Sequence, residues 1–112
     1  MNENFPDYWT IVKITDLVKG VHHYRVLCSW VGSYLYGTSW QLSSGIIDVE
    51  DCGTRWRLPQ TSGSVYLLNK DSEHMNGLMH STFERLKSGE DDVAKIEALK
   101  FSDFLAEWKQ SS

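Results

Sequence analysis

The stretch from Ser33 to Asn69 constrains the fold of this chain more than any other. It is a dense series of aromatic and β-branched runs, which Gly, Ser, Asp and Pro interrupt at short intervals. This punctuation is typical of antiparallel strands joined by tight turns. The stretch therefore predicts a β-meander at the centre of the chain.

Two further strands are predicted before this stretch. Residues Tyr8 to Thr15 are β-branched and aromatic, and Asp16 to Gly20 supply a turn. The segment His22 to Val31 then alternates, because side chains along a strand point to opposite faces in turn. The predicted core face carries Tyr24, Val26, Cys28 and Trp30, and the other face carries His23, Arg25 and Ser29.

The central stretch begins with a loop, Gly32 to Thr38, that contains Tyr34 and Tyr36. A strand follows from Ser39, and a β-bulge is predicted at Ser44 and Gly45, since Gly tolerates the backbone angles of a bulge. With that extra residue, the apolar side chains before and after the bulge point to the same face of the meander. The residues expected on this core face are Trp40, Leu42, Ile47, Val49, Trp56 and Leu58, with Arg55 and Arg57 on the opposite face.

A helix from about Ser72 to Ser88 follows, with Asp71 or Ser72 as its cap and Gly89 as its end. Its apolar stripe, at the spacing of one helical face, is Met75, Leu78, Met79, Thr82, Phe83 and Leu86. Residues 93–99 fit an edge strand through their alternation and also fit a loose helix, and we favour the strand. Ser102 is predicted to cap a last helix whose apolar face holds Phe104, Leu105 and Trp108.

Together these elements predict one α+β domain over residues 1–112, because 112 residues suffice for a single core. The expected architecture is a mainly antiparallel sheet of five or six strands, with two helices packed on one face.

The charges of the chain disfavour a general nucleic-acid binder. The formal net charge is −4, and residues 71–112 carry 9 acidic against 5 basic side chains, while residues 1–70 carry 6 of each. Proteins that bind nucleic acid without sequence preference neutralise phosphates with basic groups. A protein partner is therefore favoured, and nucleic acid remains an alternative. The sequence leaves the oligomeric state open.

The expected location is the cytoplasm. The chain starts without the basic region and apolar run of a secretion signal, and no apolar run approaches the 18 or so residues that span a bilayer. Both cysteines are expected to be free thiols. No phosphate-binding glycine loop or zinc-finger spacing is present, and no cofactor is expected.

The segments around Trp40–Gly45 and Ser62–Tyr66 resemble small uncharacterised proteins of bacteriophages and other mobile elements. In those proteins, as here, a W-x-L-x-S-G segment precedes an S-G-S-x-Y segment and a helix. The resemblance covers about the middle half of the chain. It implies a genomic origin and no activity, so it assigns no functional residues.

Two catalytic or metal-binding possibilities arise from the residue types and receive little support. The thiols Cys28 and Cys52 could be nucleophiles beside His22, His23, His74 or His80, but Cys28 is predicted to face the core and Cys52 follows two acidic residues. His80 and Glu84 have the i, i+4 spacing of metal ligands, yet they lie opposite the apolar stripe without a third ligand. No metal site is therefore expected.

The favoured binding surfaces combine arginine with aromatic side chains. Arg55 and Arg57 flank Trp56, and Arg25 is expected nearby, which suits carboxylates, phosphates or bases. Tyr34 and Tyr36 suit a protein contact, because tyrosine and arginine are enriched at interface hot spots. The sequence thus predicts a small binding or interaction protein, an accessory or inhibitor that acts without catalysis. The alternatives are a nucleic-acid-associated protein and a small enzyme or metal-binding protein.

Overall fold

The computed structural model of the chain describes residues 3–31, 39–89 and 93–111. Strands dominate these ranges, and two helices lie towards the C-terminus. The strands are β1 (Glu3–Asn4), β2 (Tyr8–Asp16), β3 (Val21–Trp30), β4 (Ser39–Leu42), β5 (Glu50–Asp51), β6 (Arg55–Pro59), β7 (Val65–Asn69) and β8 (Ala94–Leu99). The helices are α1 (Gly77–Ser88) and α2 (Phe101–Ser111), and a 3₁₀ turn spans Lys70–Ser72.

The strands form two four-stranded sheets. We call them sheet A, with the order β1-β7-β6-β5, and sheet B, with the order β4-β3-β2-β8. All neighbours pair antiparallel except β1 and β7, which are parallel. The predicted α+β class is confirmed, whereas a single sheet of five or six strands is not. The edge position of β8 beside β2 confirms the strand that was favoured over a helix for this segment.

The chain passes from sheet B to sheet A through a sharp irregularity at Gly45. Ile46 still donates its backbone N–H to Tyr24 O of β3 at 2.8 Å, whereas Ile47 donates to Pro59 O of sheet A at 3.0 Å. Gly45 has a φ of 150°, which residues with a Cβ rarely adopt. The meander is therefore divided between two sheets at this glycine.

The crossing at Gly45 changes which of the two adjacent isoleucines is buried. Ile46 is buried, whereas Ile47 is 56% exposed, so the prediction of Ile47 in the core is wrong. Trp40 is also wrong as a core residue, because its side chain on β4 is 40% exposed. The remaining predicted core residues are half-buried or buried: Leu42, Val49, Trp56 and Leu58.

The main core lies between the two sheets. Its buried members come from both sheets, the crossing and α2: Trp9, Ile11, Tyr24, Val26, Cys28, Ile46, Leu58, Tyr66, Leu68, Phe101 and Phe104. The core face predicted for β3 is confirmed, including the buried position of Cys28 and the packing of Trp30 against this cluster.

Helix α1 covers the opposite face of sheet B. Val12 and Leu27 of the sheet pack there with Met79 and Phe83 of the helix. Because β2 and β3 carry apolar side chains at consecutive positions, both faces of sheet B are apolar and both need a cover. The expectation that both helices pack on one face is therefore not confirmed: α1 and α2 contribute to clusters on opposite faces.

Helix α1 begins later than the sequence pattern predicts. Asn76 is its N-cap and accepts the Met79 N–H at 3.0 Å, while Lys70–Ser72 form the separate 3₁₀ turn. The predicted end at Gly89 is confirmed, since Gly89 donates its N–H back to Leu86 O at 3.2 Å. None of the helices in the described ranges is long and apolar enough to cross a membrane.

Among the described residues, one buried side-chain polar atom of α1 lacks a hydrogen-bond partner. Thr82 of α1 is 1% exposed, and its Oγ1 makes no hydrogen bond within the described ranges. An unsatisfied buried hydroxyl costs about 1–3 kcal/mol. We therefore expect Thr82→Val, which keeps the shape, to raise the free energy of unfolding by about 1 kcal/mol in a urea titration. Thr82→Ser, which keeps the hydroxyl and removes the methyl group, should lower it; equal effects of both variants would contradict the explanation.

Helix α2 is attached at its start by a residue distant in sequence. The Phe101 N–H donates to Glu73 Oε2 at 2.6 Å, so a carboxylate satisfies one of the free donors of the first turn. The helix begins at Phe101 and not after the predicted cap, Ser102. This attachment directs the helix along the core, where Phe104 is buried and Trp108 half-buried.

Candidate functional site

A recess of about 450 Å³ lies where β3, α2 and residues 43–49 meet; we call residues 43–49, which connect β4 of sheet B to β5 of sheet A, the crossing segment. We call it the α2 cleft. Three kinds of side chain line it: aromatic or imidazole rings, apolar isoleucines and one carboxylate. The lining residues are His22, His23, Tyr24, Ile46, Ile47, Asp48 and Trp108.

The cleft exists because β3 extends further than its neighbour on one side. The crossing segment follows β3 only as far as Tyr24 and then turns to sheet A, whereas β3 continues to Val21 beside β2. The two walls of the cleft, β3 and the crossing segment, therefore diverge beyond Tyr24. Trp108 closes the cleft, with its ring centroid 5.6 Å from that of Phe104 and 6.1 Å from that of Tyr24.

A small ionic network lies beside the cleft. Glu107 Oε1 accepts hydrogen bonds from Lys13 Nζ and from the Tyr24 hydroxyl, both at 2.8 Å. The Lys13 hydrogen bond, followed by that of Tyr24, lowers the pKa of Glu107. Burial, with Glu107 as the next cause, raises the pKa of Tyr24, so its hydroxyl stays protonated and fixed on the carboxylate.

This network predicts a pH-dependent stability. Because the pKa of Glu107 is lower in the folded than in the unfolded protein, its stabilising contribution is complete above the unfolded value, near 4.5. It is lost as the pH falls through the folded value. We expect Tyr24→Phe to lower the free energy of unfolding by about 1 kcal/mol at pH 7 and by less at pH 3. Urea titrations at the two pH values measure this, and an equal loss at both would contradict the network.

The imidazoles of the cleft differ in their surroundings. His23 Nε2 accepts a hydrogen bond from Arg25 Nε at 3.1 Å, and burial, then Arg25 and His22, lower the pKa of His23. His23 is therefore neutral at pH 7. The His22 ring stands edge-on to that of Tyr24, with the centroids 5.3 Å apart. The cleft thus presents one carboxylate, Asp48, and neither a lysine nor an arginine is among its lining residues.

The two thiols lie in contrasting places, as the sequence predicts. Cys28 is 0% exposed, and burial raises the pKa of its thiol to about 12, while Cys52 is exposed in the turn before β6. We expect a chromogenic disulfide reagent at pH 8 to titrate one thiol in the native protein and two in guanidinium chloride. Cys52→Ser should remove the native reaction; rapid native reaction of both thiols would contradict the burial of Cys28.

The arginines that the sequence singled out lie on different surfaces. Arg55 donates to Asn69 Oδ1 at 2.9 Å, and Arg57 pairs with Glu50 at 2.6 Å, both on the side of sheet A opposite Leu58. Arg25 belongs to sheet B and shares the face of Leu27, which α1 covers. The structure therefore does not bring Arg25 to the other two arginines.

Two other predicted sites receive no further support. Tyr34 and Tyr36 lie outside the described residues. His80 and Glu84 are exposed on α1, and within residues 3–31, 39–89 and 93–111 no group of three or more His, Cys, Asp or Glu side chains is placed to hold a metal ion.

Sequence reasoning missed the α2 cleft because it assigned two of its residues to the core. The predicted bulge places Ile47 in the core, and the apolar face of the last helix places Trp108 there. A signal was present in the adjacent pair Ile46 and Ile47, since an extended segment cannot bury two consecutive side chains on one face. No sequence pattern indicates that β3 lacks a neighbour at His22, on the side away from β2.

Comparisons with known proteins give no family for this chain. No protein-family model, no curated protein and no solved structure matches it. A function for this chain is therefore inferred from the geometry of the cleft.

Proposed function

We propose that the protein is a non-catalytic binding protein that recognises a segment of another protein in the α2 cleft. The observation that carries this proposal is the exposed apolar side chain of Ile47 at a recess of about 450 Å³, together with the ring of Trp108 and the carboxylate of Asp48. Binding pockets combine apolar walls with a few polar groups that orient the ligand, at volumes of roughly 300–1,000 Å³.

The protonation of the groups around the cleft supports binding more than catalysis. A nucleophile is activated by an adjacent general base, by a lowered pKa or by a metal ion. The Tyr24 hydroxyl instead has a raised pKa and donates to Glu107, and Glu107 is itself held by Lys13. These groups stabilise the cleft as a rigid surface.

The alternative, nucleic-acid binding through Arg55 and Arg57, has weaker support. Each arginine already has a partner, Asn69 for Arg55 and Glu50 for Arg57, and the Glu50 carboxylate offsets the charge of Arg57 on this side of sheet A. Phosphate binding requires cations that are free to replace counterions. Fluorescence anisotropy with a labelled single-stranded oligonucleotide tests the alternative, and we expect no binding even at low salt.

A peptide selection tests the proposed function. A displayed library of random twelve-residue peptides is selected on the immobilised protein, and enriched peptides are synthesised and titrated by calorimetry. We expect them to perturb the NMR signals of the Trp108 indole and of Ile47, and not those of the exposed Val18. Failure to enrich any peptide, or perturbations confined to another surface, would overturn the proposal. The origin in a bacteriophage or mobile element stays a prediction of the sequence resemblance.

A further inference from the structure

The wall of the α2 cleft formed by β3 is a free strand edge. Tyr24 O accepts a hydrogen bond from Ile46 N–H, and Val26 O accepts one from Ser43 N–H, both at 2.8 Å. The even-numbered residues of β3 therefore direct their backbone groups towards the crossing segment. Because this direction repeats every second residue, the N–H and C=O of His22 point the same way.

Within the ranges that the structure describes, no strand pairs with His22 on this side. There, His22 pairs with Thr15 of β2, and β4 pairs with β3 from Leu27 to Trp30. Among the described residues, the crossing segment makes its last hydrogen bond to β3 at Tyr24 O. The backbone N–H and C=O of His22 are thus left for solvent or for a ligand, inside a cleft with an apolar opposite wall.

We infer that this edge binds an extended segment of the partner protein by strand addition, an inference that rests on the proposed function. In this mode the backbone of the segment hydrogen-bonds to the edge, and alternate side chains enter pockets. One side chain would face Trp108 and Ile47 and must be apolar. The next side chain along the segment points to the other face of sheet B.

The charge of the cleft indicates a basic group in the same segment. The carboxylate of Asp48 accepts the neighbouring Val49 N–H at 2.8 Å and has no basic partner in the part of the chain that the structure describes. His23 is neutral at pH 7, and Arg25, which donates to it at 3.1 Å, is not among the lining residues of the cleft. A lysine or arginine of the partner beside Asp48 would supply the missing positive charge.

The shape of the cleft favours a single segment over a second copy of the chain. A strand that adds to the edge lies about 4.8 Å from β3. With its edge strand, a second copy of the chain would also bring the rest of its sheet and a second layer packed about 10 Å from that sheet. Ile47 and Asp48 leave β3 towards sheet A and stand as the opposite wall. A lone strand fits between these walls, whereas the full sheet of a second copy would meet them.

Backbone methylation of the bound peptide tests strand addition. The probe is the most enriched peptide of the library, synthesised with capped ends and with an N-methyl group at each residue in turn. We expect one sensitive position: methylation at the residue whose N–H donates to His22 O lowers affinity about tenfold or more, and methylation at its two neighbours has little effect. The backbone amide of His22 should also gain protection from hydrogen exchange on binding.

Replacing the basic residue of the probe by norleucine tests the charge. It should weaken binding to the native protein and have a much smaller effect on the Asp48→Asn variant. An equal effect on both proteins would overturn the assignment of Asp48.

The possible outcomes separate this inference from the proposed function. Peptides that bind the cleft but tolerate every backbone methyl group would overturn strand addition and leave the binding function intact. The absence of any cleft-binding peptide would overturn both. Protection of the His22 amide that rises with protein concentration, without peptide, would identify a second copy as the occupant and overturn the inference.

Discussion

Ile47→Ser is expected to lower the affinity of a cleft-binding peptide about tenfold and to leave the free energy of unfolding nearly unchanged. The side chain is 56% exposed in the free protein, so the fold gains little from it. In the complex the partner would cover the exposed part, about half of the roughly 1.5–3 kcal/mol that full burial of an isoleucine side chain is worth. Serine is neutral, and it therefore removes this apolar contact without adding a charge beside Asp48.

Val18→Ser is the matched control for this experiment. Val18 is also an exposed β-branched residue, 73% exposed in the turn between β2 and β3, and it does not line the cleft. Calorimetric titration of both variants with the same peptide, beside urea unfolding, separates binding from stability. Equal losses of affinity in both variants, or none in Ile47→Ser, would contradict the position of the site.

Phe104→Ala is expected to be the most destabilising of the substitutions considered, by about 3–5 kcal/mol. Phe104 is 0% exposed, and its ring centroid lies 5.0 Å from that of Tyr24 and 5.3 Å from that of Phe101. Removing this ring leaves a cavity between α2 and both sheets. Because a small domain has only about 5–15 kcal/mol of stability, the midpoint of thermal unfolding should fall by at least 12 °C.

Binding should fail together with stability in this variant. The Trp108 ring, which closes the cleft, packs against Phe104 with 5.6 Å between the ring centroids. Phe104→Leu, which fills most of the space, should lose less than half as much stability and retain peptide binding. Calorimetry of thermal unfolding measures the first effect and peptide titration the second. A Phe104→Ala protein with native stability would show that α2 is not held by this ring.

Local patterns in the sequence predict most of the individual elements. The alternation in His22–Val31 correctly assigns Cys28 to the core, and the stripe ending at Leu86 correctly assigns α1 and its buried Met79 and Phe83. These predictions succeed because the period of a strand or a helix is set by its own backbone geometry. The start of α1 fails because Lys70–Ser72 form a separate turn, which the caps at Asp71 and Ser72 do not distinguish from a helix start.

The candidate site depends on an event that no local pattern contains. Gly45 is recognisable as an irregularity, but whether the chain stays in one sheet or enters a second depends on hydrogen bonds to residues distant in sequence. Gln60 supplies one of them, since its Oε1 accepts the Gly45 N–H at 3.2 Å inside the core. This crossing exposes Ile47 and buries Ile46. It also turns the chain away from β3 before His22, so the segment makes no hydrogen bond to the His22 backbone.

The sequence by itself determined the α+β class, the periods of β3 and α1, the buried thiol and the acidic balance of the chain. Each of these follows from the residues of one segment or from a count. Only the tertiary structure decided that there are two sheets, that α1 and α2 serve opposite faces of sheet B, and that a cleft opens beside Trp108. Those features depend on which apolar faces cover one another, and that choice is made by the packing of the whole chain.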